Sequence, residues 1–110
     1  MKPLNRRLIL EEKVQTADGA GGFAETWVPL GTVWADIRAG SGGAGEVDHL
    51  RQSQTSIAVT VRAAPFGAPS RPKPGQRFAE GIRLFEIHAV VERDPQARTL
   101  ECLCTEEVLT

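Results

Sequence analysis

The chain alternates apolar and polar residues in short runs that are separated by glycine, proline and aspartate. The clearest run spans residues 55–62, where Ile57, Val59 and Val61 alternate with polar or small side chains. A period of two residues places every second side chain on the same face of a β-strand, so each run predicts a strand with one buried face. The predicted strands are 7–15, 25–28, 31–38, 55–62, 82–93 and 99–107.

The predicted buried faces follow from the apolar positions of each run. They comprise Leu8, Leu10 and Val14; Val33, Ala35 and Ile37; Phe85, Ile87, Ala89 and Val91; and Leu100, Cys102 and Cys104. Residues 94–97 place aspartate first and proline second, as in a type I turn, so the last two strands are expected to form a hairpin. Pro29 cannot donate a hydrogen bond to a neighbouring strand, which predicts a bend or an edge position there.

Two long connections lie between the predicted strands, at residues 39–54 and 63–76. Only residues 46–52 could form a helix, of about two turns at most. The sequence therefore predicts an all-β fold: a small antiparallel β-barrel or sandwich of about five to six strands, with two long loops and at most one short helix, in a single domain over residues 1–110. Long loops in a compact domain are usually functional, so we expect function to lie in these two.

The charge balance excludes a general attraction to DNA or to an anionic membrane, because the formal net charge is only −1. The charge is uneven, since residues 62–77 carry four basic side chains and no acidic one. The apolar runs are too short to cross a membrane, and acidic residues follow the basic start too closely for a signal peptide. The two cysteines are two positions apart on one strand and point the same way, which favours free thiols that face the core.

No pattern in the sequence predicts catalysis or a cofactor. Residues 40–45 match G-x-G-x-x-G, but the long helix and the later acidic residue that a dinucleotide site requires are both missing. His49, His88 and the two cysteines lack the paired spacing of a structural zinc site. No nucleophile has a neighbouring base and orienting group. We therefore expect a protein that is not an enzyme and uses no metal or cofactor.

Several short motifs occur in a recognisable order along the chain. They are Asp18-Gly19 with Gly21-Gly22, Trp27, Val33-Trp34-Ala35-Asp36-Ile37, residues 55–62 with their final arginine, Pro74-Gly75-Gln76-Arg77-Phe78, Phe85-Glu86-Ile87, and the turn 94–97 with Arg98-Thr99-Leu100. Their order and spacing resemble the phage head–tail joining proteins, the family of small head-completion, stopper and adaptor subunits. The resemblance covers nearly the whole chain.

This resemblance implies a subunit of a homo-oligomeric ring between a portal-side adaptor and a tail-side terminator or tail protein. It also implies transient, non-specific contact with double-stranded DNA in a channel. The location would be a virion or phage-like particle, assembled in the bacterial cytoplasm, of an infectious phage, a prophage or a gene-transfer particle. As a hypothesis, residues 39–54 form a channel loop, because glycine eases backbone rearrangement. The channel-loop candidates are Gly40, Gly42, Gly43, Gly45, His49 and Arg51.

The proline-rich residues 64–74 are a second candidate, for a docking arm, because proline lowers the entropy cost of an extended shape. We expect its deletion to spare the fold and to abolish joining to a neighbouring ring. The docking candidates are Phe66, Arg71, Lys73 and Arg77. Two alternatives remain open on composition alone. One is a monomeric β-barrel module that binds a protein or an oligonucleotide, and the other is a tail subunit.

Overall fold

The computed structural model describes residues 3–39 and 53–108. Each strand forms where the sequence alternates, and glycine-containing turns or loops separate most of them. All strand pairs are antiparallel. The strands are β1 (Arg6–Ala17), β2 (Phe23–Ala39), β3 (Ser53–Arg62), β4 (Arg77–Glu80), β5 (Arg83–Val91) and β6 (Thr99–Val108).

The six strands close into one barrel in the order β1-β2-β3-β6-β5-β4. Closure depends on β4, which pairs with β5 on one side and with residues Ile9 to Glu11 of β1 on the other. The predicted all-β antiparallel fold is confirmed, and the described residues contain no helix. The predicted short helix at 46–52 lies outside the described residues.

The core fills the inside of the barrel with alternate residues from every strand. These side chains are almost completely shielded from water, and the two largest, Phe78 and Phe85, face each other across β4 and β5. The buried hydrophobic residues are Leu8, Leu10, Ala35, Ile57, Val59, Val61, Phe78, Phe85, Ile87, Leu100, Cys102 and Cys104. The predicted inward faces of β3 and β6 are confirmed. The predicted turn at 94–97 is also present, and in it the Ala97 amide donates to the Asp94 carbonyl at 2.8 Å.

Both cysteines are buried free thiols, as predicted. Burial raises the pKa of the Cys102 thiol to about 12, and it raises the pKa of Cys104 as well. A thiol with a raised pKa is almost entirely protonated near neutral pH, so neither cysteine is a reactive nucleophile in the folded chain.

The predicted break between the strands 25–28 and 31–38 is wrong, because β2 runs without a break from Phe23 to Ala39. The predicted edge position of Pro29 is confirmed, since residues 23–34 pair with β1 alone. Leu10 pairs with Gly31 and Glu11 pairs with Pro29, so Leu30 is an extra residue in the ladder. A bulge of this kind lets a strand accommodate a proline, since one position is already unpaired. The two predicted strands 25–28 and 31–38 are therefore one long strand.

A second bulge changes the inward face of β5. Ile87 pairs with Cys104 and Ala89 pairs with Leu103, which leaves His88 as the extra residue. An extra residue reverses the alternation beyond it. As a result Val90 packs against the core, and the predicted inward positions Ala89 and Val91 are wrong.

Candidate functional site

The barrel has two different ends, which follow from the antiparallel order of its strands. β1, β3 and β5 begin at one end, and β2, β4 and β6 stop there. We call this the charged end, because four ionised side chains occupy it. The opposite end carries the β1–β2 hairpin and residues 63–76, and we call it the arm end.

The network at the charged end consists of Arg6, Glu80, Arg83 and Glu106. Each lies two positions beyond a buried residue of its strand and so continues the inward face. Arg6 donates two hydrogen bonds to Glu80, at 2.8 and 2.5 Å, and Arg83 donates two to Glu106, both at 2.8 Å. Arg83 also lies 3.8 Å from Glu80, which joins the two pairs. The four charges therefore connect β1, β4, β5 and β6 at this end.

The arginines favour the ionised form of both carboxylates. Hydrogen bonds from Arg6 hold the pKa of Glu80 below its usual value, and hydrogen bonds from Arg83 do the same for the pKa of Glu106. A carboxylate with a lowered pKa in the folded chain stabilises the fold above its unfolded pKa. That contribution is lost as the pH falls through the lower folded pKa.

We expect the free energy of unfolding to be nearly constant close to neutral pH and to decrease below about pH 4.3, where glutamate of an unfolded chain becomes protonated. The double variant Glu80→Gln/Glu106→Gln should be less stable at pH 7 by about 1–2 kcal/mol and should lose less stability on acidification. Urea unfolding at a series of pH values measures both effects. Glu86→Gln, an exposed carboxylate outside this network, is the matched control. An acid transition as steep in the double variant as in the unmodified chain would contradict the prediction.

The proposed channel loop, residues 39–54, overlaps the ends of two strands. Ala39 is the last residue of β2 and Ser53 is the first residue of β3, so the loop joins the barrel at the charged end. The channel-loop candidates lie outside the described residues: Gly40, Gly42, Gly43, Gly45, His49 and Arg51.

Residues 63–76 fold back over the arm end of the barrel. Arg71, Pro72 and Gln76 of this segment are buried. Backbone hydrogen bonds tie the segment to its surroundings, from the Ala63 amide to the Arg98 carbonyl and from the Gly75 amide to the Ile87 carbonyl. The segment is thus part of the folded body. The expectation that residues 64–74 can be deleted without harm to the fold is wrong, because deletion would remove buried side chains.

Arg71 holds the outer part of this segment in place. Its guanidinium donates to the Ala64 carbonyl at 2.8 Å and lies 3.8 Å from Glu92. It also stacks on the ring of Phe66, 3.8 Å from the ring centroid. Phe66 itself is 83% exposed, an unusual position for so large an apolar side chain. Arg71 therefore positions Phe66 at the surface, and Lys73 is exposed in the same segment.

Arg77 has a different environment from the other three docking candidates. It lies on β4, where it donates to Glu11 at 2.6 Å and stacks 4.0 Å from the ring centroid of Trp27. Glu11 and Trp27 lie on β1 and β2 at the base of the hairpin. Arg77 thus braces this base against the barrel, and of the four docking candidates Phe66 and Lys73 are the exposed ones.

The β1–β2 hairpin extends beyond the barrel as a two-stranded arm. Residues 12–17 of β1 and 23–28 of β2 pair only with each other. This is because β4 pairs with β1 only as far as Glu11, and β3 pairs with β2 only as far as Ala35. Six residue pairs correspond to a length of about 20 Å. The hairpin was predicted, but its projection was not. The available signal was the polar composition of residues 12–17 of β1, where Val14 is the only large apolar residue.

The tip of the arm is a tight turn with its own hydrogen bonds. The Asp18 carboxylate accepts hydrogen bonds from the amides of Ala20 and Gly22, at 2.8 and 3.0 Å. These bonds, in that order of importance, lower the pKa of Asp18 from its usual value. Phe23 follows directly and is 70% exposed. The tip therefore carries a carboxylate in its turn and an exposed aromatic ring at the start of β2.

Residues 3–39 and 53–108 contain no cluster of three histidine, cysteine, aspartate or glutamate side chains that could hold a metal ion. Over the same residues, no helix has the length and apolar character needed to cross a membrane.

Comparisons with known proteins agree with the family that the motif order indicated. A family model described as phage head completion protein matches residues 1–107. A chain from the virion of a native gene transfer agent particle is 48% identical, with 100% of both chains covered and a TM-score of 0.80. A protein from Shigella flexneri 2a, known from a solution structure, shares the fold at 21% identity and a TM-score of 0.65, with 94% of this chain and 92% of that chain covered. No curated protein matches the chain.

The resemblance inferred from the ordered motifs is therefore confirmed by matches over nearly the full length. The matching family and the virion match are those of structural proteins and not of an enzyme family. The chain belongs to the phage head completion proteins, a family of phage structural proteins.

Proposed function

We propose that the chain is a subunit of a homo-oligomeric ring at the head–tail junction of a phage-like particle. The ring joins a portal-side adaptor to a tail-side terminator or tail protein and surrounds the path of double-stranded DNA. Membership of the head completion family supports this role, and so does the 48% identity to a chain from a gene transfer agent virion. The particle would be assembled in the bacterial cytoplasm.

The observation that carries the proposal is the arm. Its residues 12–17 and 23–28 contribute no side chain to the core, so the arm is not needed to fill the barrel. An exposed two-stranded ribbon also carries unpaired backbone groups along its edges, which normally have to be covered or paired. An arm of this kind is expected in a subunit that grips a neighbour. It favours the ring over the alternative of a monomeric binding module.

Within this proposal Phe66 and Lys73 contact a neighbouring protein, and Arg71 and Arg77 act by positioning. Exposed aromatic rings are typical of residues that contribute strongly to protein interfaces, and the charge of an exposed lysine can steer an acidic partner. The internal hydrogen bonds of Arg71 and Arg77 orient Phe66 and brace the arm.

The function is tested by deleting the gene from a host that produces the particle and supplying it again in trans. A connector role predicts that DNA-filled heads and complete tails accumulate separately, and that joined particles fall to background until the gene is restored. Electron microscopy of purified fractions measures this. Missing or incomplete tails would instead indicate a tail subunit. Normal joined particles without the chain would overturn the proposal.

The channel loop is proposed for residues 39–54, supported by their glycine content and by their attachment at the charged end. Replacing Gly42, Gly43 and Gly45 together with alanine should restrict the backbone, because alanine disfavours the conformations open to glycine. We expect the subunit to fold and enter particles, while the DNA retained in purified particles, measured by nuclease protection, decreases. Replacing Ala39 with glycine is the control. Unchanged DNA retention in the triple variant would contradict the assignment.

A further inference from the structure

An exposed tryptophan lies on the outer wall of the barrel between two arginines. Trp34 is 53% exposed and pairs across the strands with Arg7 of β1. On the other side, the last pair between β2 and β3 is Ala35 with Val61. Trp34 precedes Ala35 on β2, and Arg62 follows Val61 on β3. Both arginines are exposed, and neither has a carboxylate partner among the described residues. We call Arg7, Trp34 and Arg62 the Trp34 patch.

A groove of about 490 Å³ adjoins this patch. It lies where β2 and β3 stop pairing, and its lining includes Thr32, Trp34, Arg62, Ala64 and Ser70. The β2 edge beside it is open, because residues 23–34 pair with β1 alone. Open edges of this length invite pairing or docking by another chain. Tryptophan and arginine are the residues that most often dominate the binding energy of interfaces.

The arm tip has the complementary chemistry. Asp18 provides a negative charge and Phe23 provides an exposed ring, against the two positive charges and the indole of the Trp34 patch. The whole of residues 12–28 carries three carboxylates and one lysine, whereas the charged side chains of the Trp34 patch are the two arginines. Opposite charges on two facing surfaces steer association and select the partner.

The arm tip cannot reach the Trp34 patch of its own chain. Phe23 and Trp34 are eleven residues apart on the same strand, a separation of roughly 35 Å along an extended backbone. A contact between the two surfaces therefore has to join two molecules. Because the surfaces are different, the contact is head-to-tail, and repeated contacts of this type close into a ring when the rotation between copies permits.

We propose that the arm tip of one copy docks onto the Trp34 patch of the next copy and that this contact links the subunits of the ring. The inference rests on the proposed function, which supplies the neighbouring copies. Phe23 packs against Trp34 along the groove, and the Asp18 carboxylate is held by Arg7 and Arg62. The contact uses side chains outside the core, so it assembles subunits that are already folded.

A double-cysteine variant tests the contact without removing its central side chains. Ala17→Cys places a thiol opposite Phe23 on the arm, and Thr32→Cys places one in the groove two residues from Trp34. The native thiols are buried and protonated, so the introduced ones are the reactive pair. Purified particles carrying the double variant are oxidised and analysed on denaturing gels without reductant. We expect a ladder of dimers and higher multimers of this chain that disappears on reduction.

Matched variants make the result specific. Either single variant alone should give no ladder, and the pair Ala17→Cys/Ile82→Cys should give none, because Ile82 is fully exposed at the charged end. Adding Trp34→Ala to the double-cysteine chain should abolish or strongly reduce the ladder. Trp34 lies outside the core, so this chain is expected to fold.

Several outcomes would overturn the inference and identify what fails. Particles that contain the double variant but form no ladder, or form the same ladder with Ile82→Cys, would exclude this contact while the connector function stands. Crosslinks from Thr32→Cys to a different virion protein would assign the patch to that partner. Dimers from a single-cysteine variant would indicate a symmetric contact. Absence of the unmodified chain from purified particles would overturn both the contact and the proposed function.

Discussion

Replacing Phe78 with alanine is expected to destabilise the barrel by about 3–5 kcal/mol, the cost of removing a buried phenylalanine from a packed core. Phe78 is completely buried and pairs with Leu10 on one side and Phe85 on the other. It lies on β4, a strand of only four residues that closes the sheet onto β1. The cavity left by its ring would therefore weaken the packing on both sides of the closure.

This expected loss is large relative to the total free energy of unfolding. A domain of this length has a total stability of roughly 5–15 kcal/mol, so this variant should unfold at a much lower urea concentration. Phe23→Ala is the matched control, since it removes the same side chain from an exposed position and should change stability by less than about 0.5 kcal/mol. Equal effects of the two substitutions in urea titrations would contradict the assignment of Phe78 to the core.

Removal of the arm is expected to abolish assembly and to leave the barrel folded. Lys13 and Trp27 are a cross-strand pair, so residues 14–26 can be replaced by Asn-Gly, a two-residue sequence that favours a tight hairpin turn. The brace between Glu11, Arg77 and Trp27 stays in place. No deleted side chain belongs to the core, so the free energy of unfolding should change by less than about 1 kcal/mol.

The same deletion removes the surface by which we propose that copies grip each other. Joined head–tail particles should therefore fall to background when the shortened chain replaces the normal one. The control keeps the arm and exchanges two of its exposed residues, Gln15→Glu with Glu25→Gln, which preserves length and charge. Joined particles at the normal level with the shortened chain would show that the arm is dispensable for assembly.

The local alternation of apolar and polar residues determined many of the strands and their buried faces. The apolar period placed β3 and β6 with their inward residues, and the Asp-Pro turn at 94–97 joined the last two strands as predicted. The same period kept Trp34 on the outside and both thiols in the core. These features depend on neighbours two to four residues away, which the sequence displays directly.

The remaining features depend on pairing between distant strands, and only the tertiary structure decided them. The bulges at Leu30 and His88 appear once β2 and β5 are aligned with their partners. The bulge at His88 places Val90 against the core, where local alternation had placed Ala89 and Val91. The four residues of β4 are too few to predict a strand, yet they close the barrel. Whether a hairpin becomes barrel wall or projecting arm depends on where its neighbouring strands stop, because a strand is buried only as far as another strand covers it.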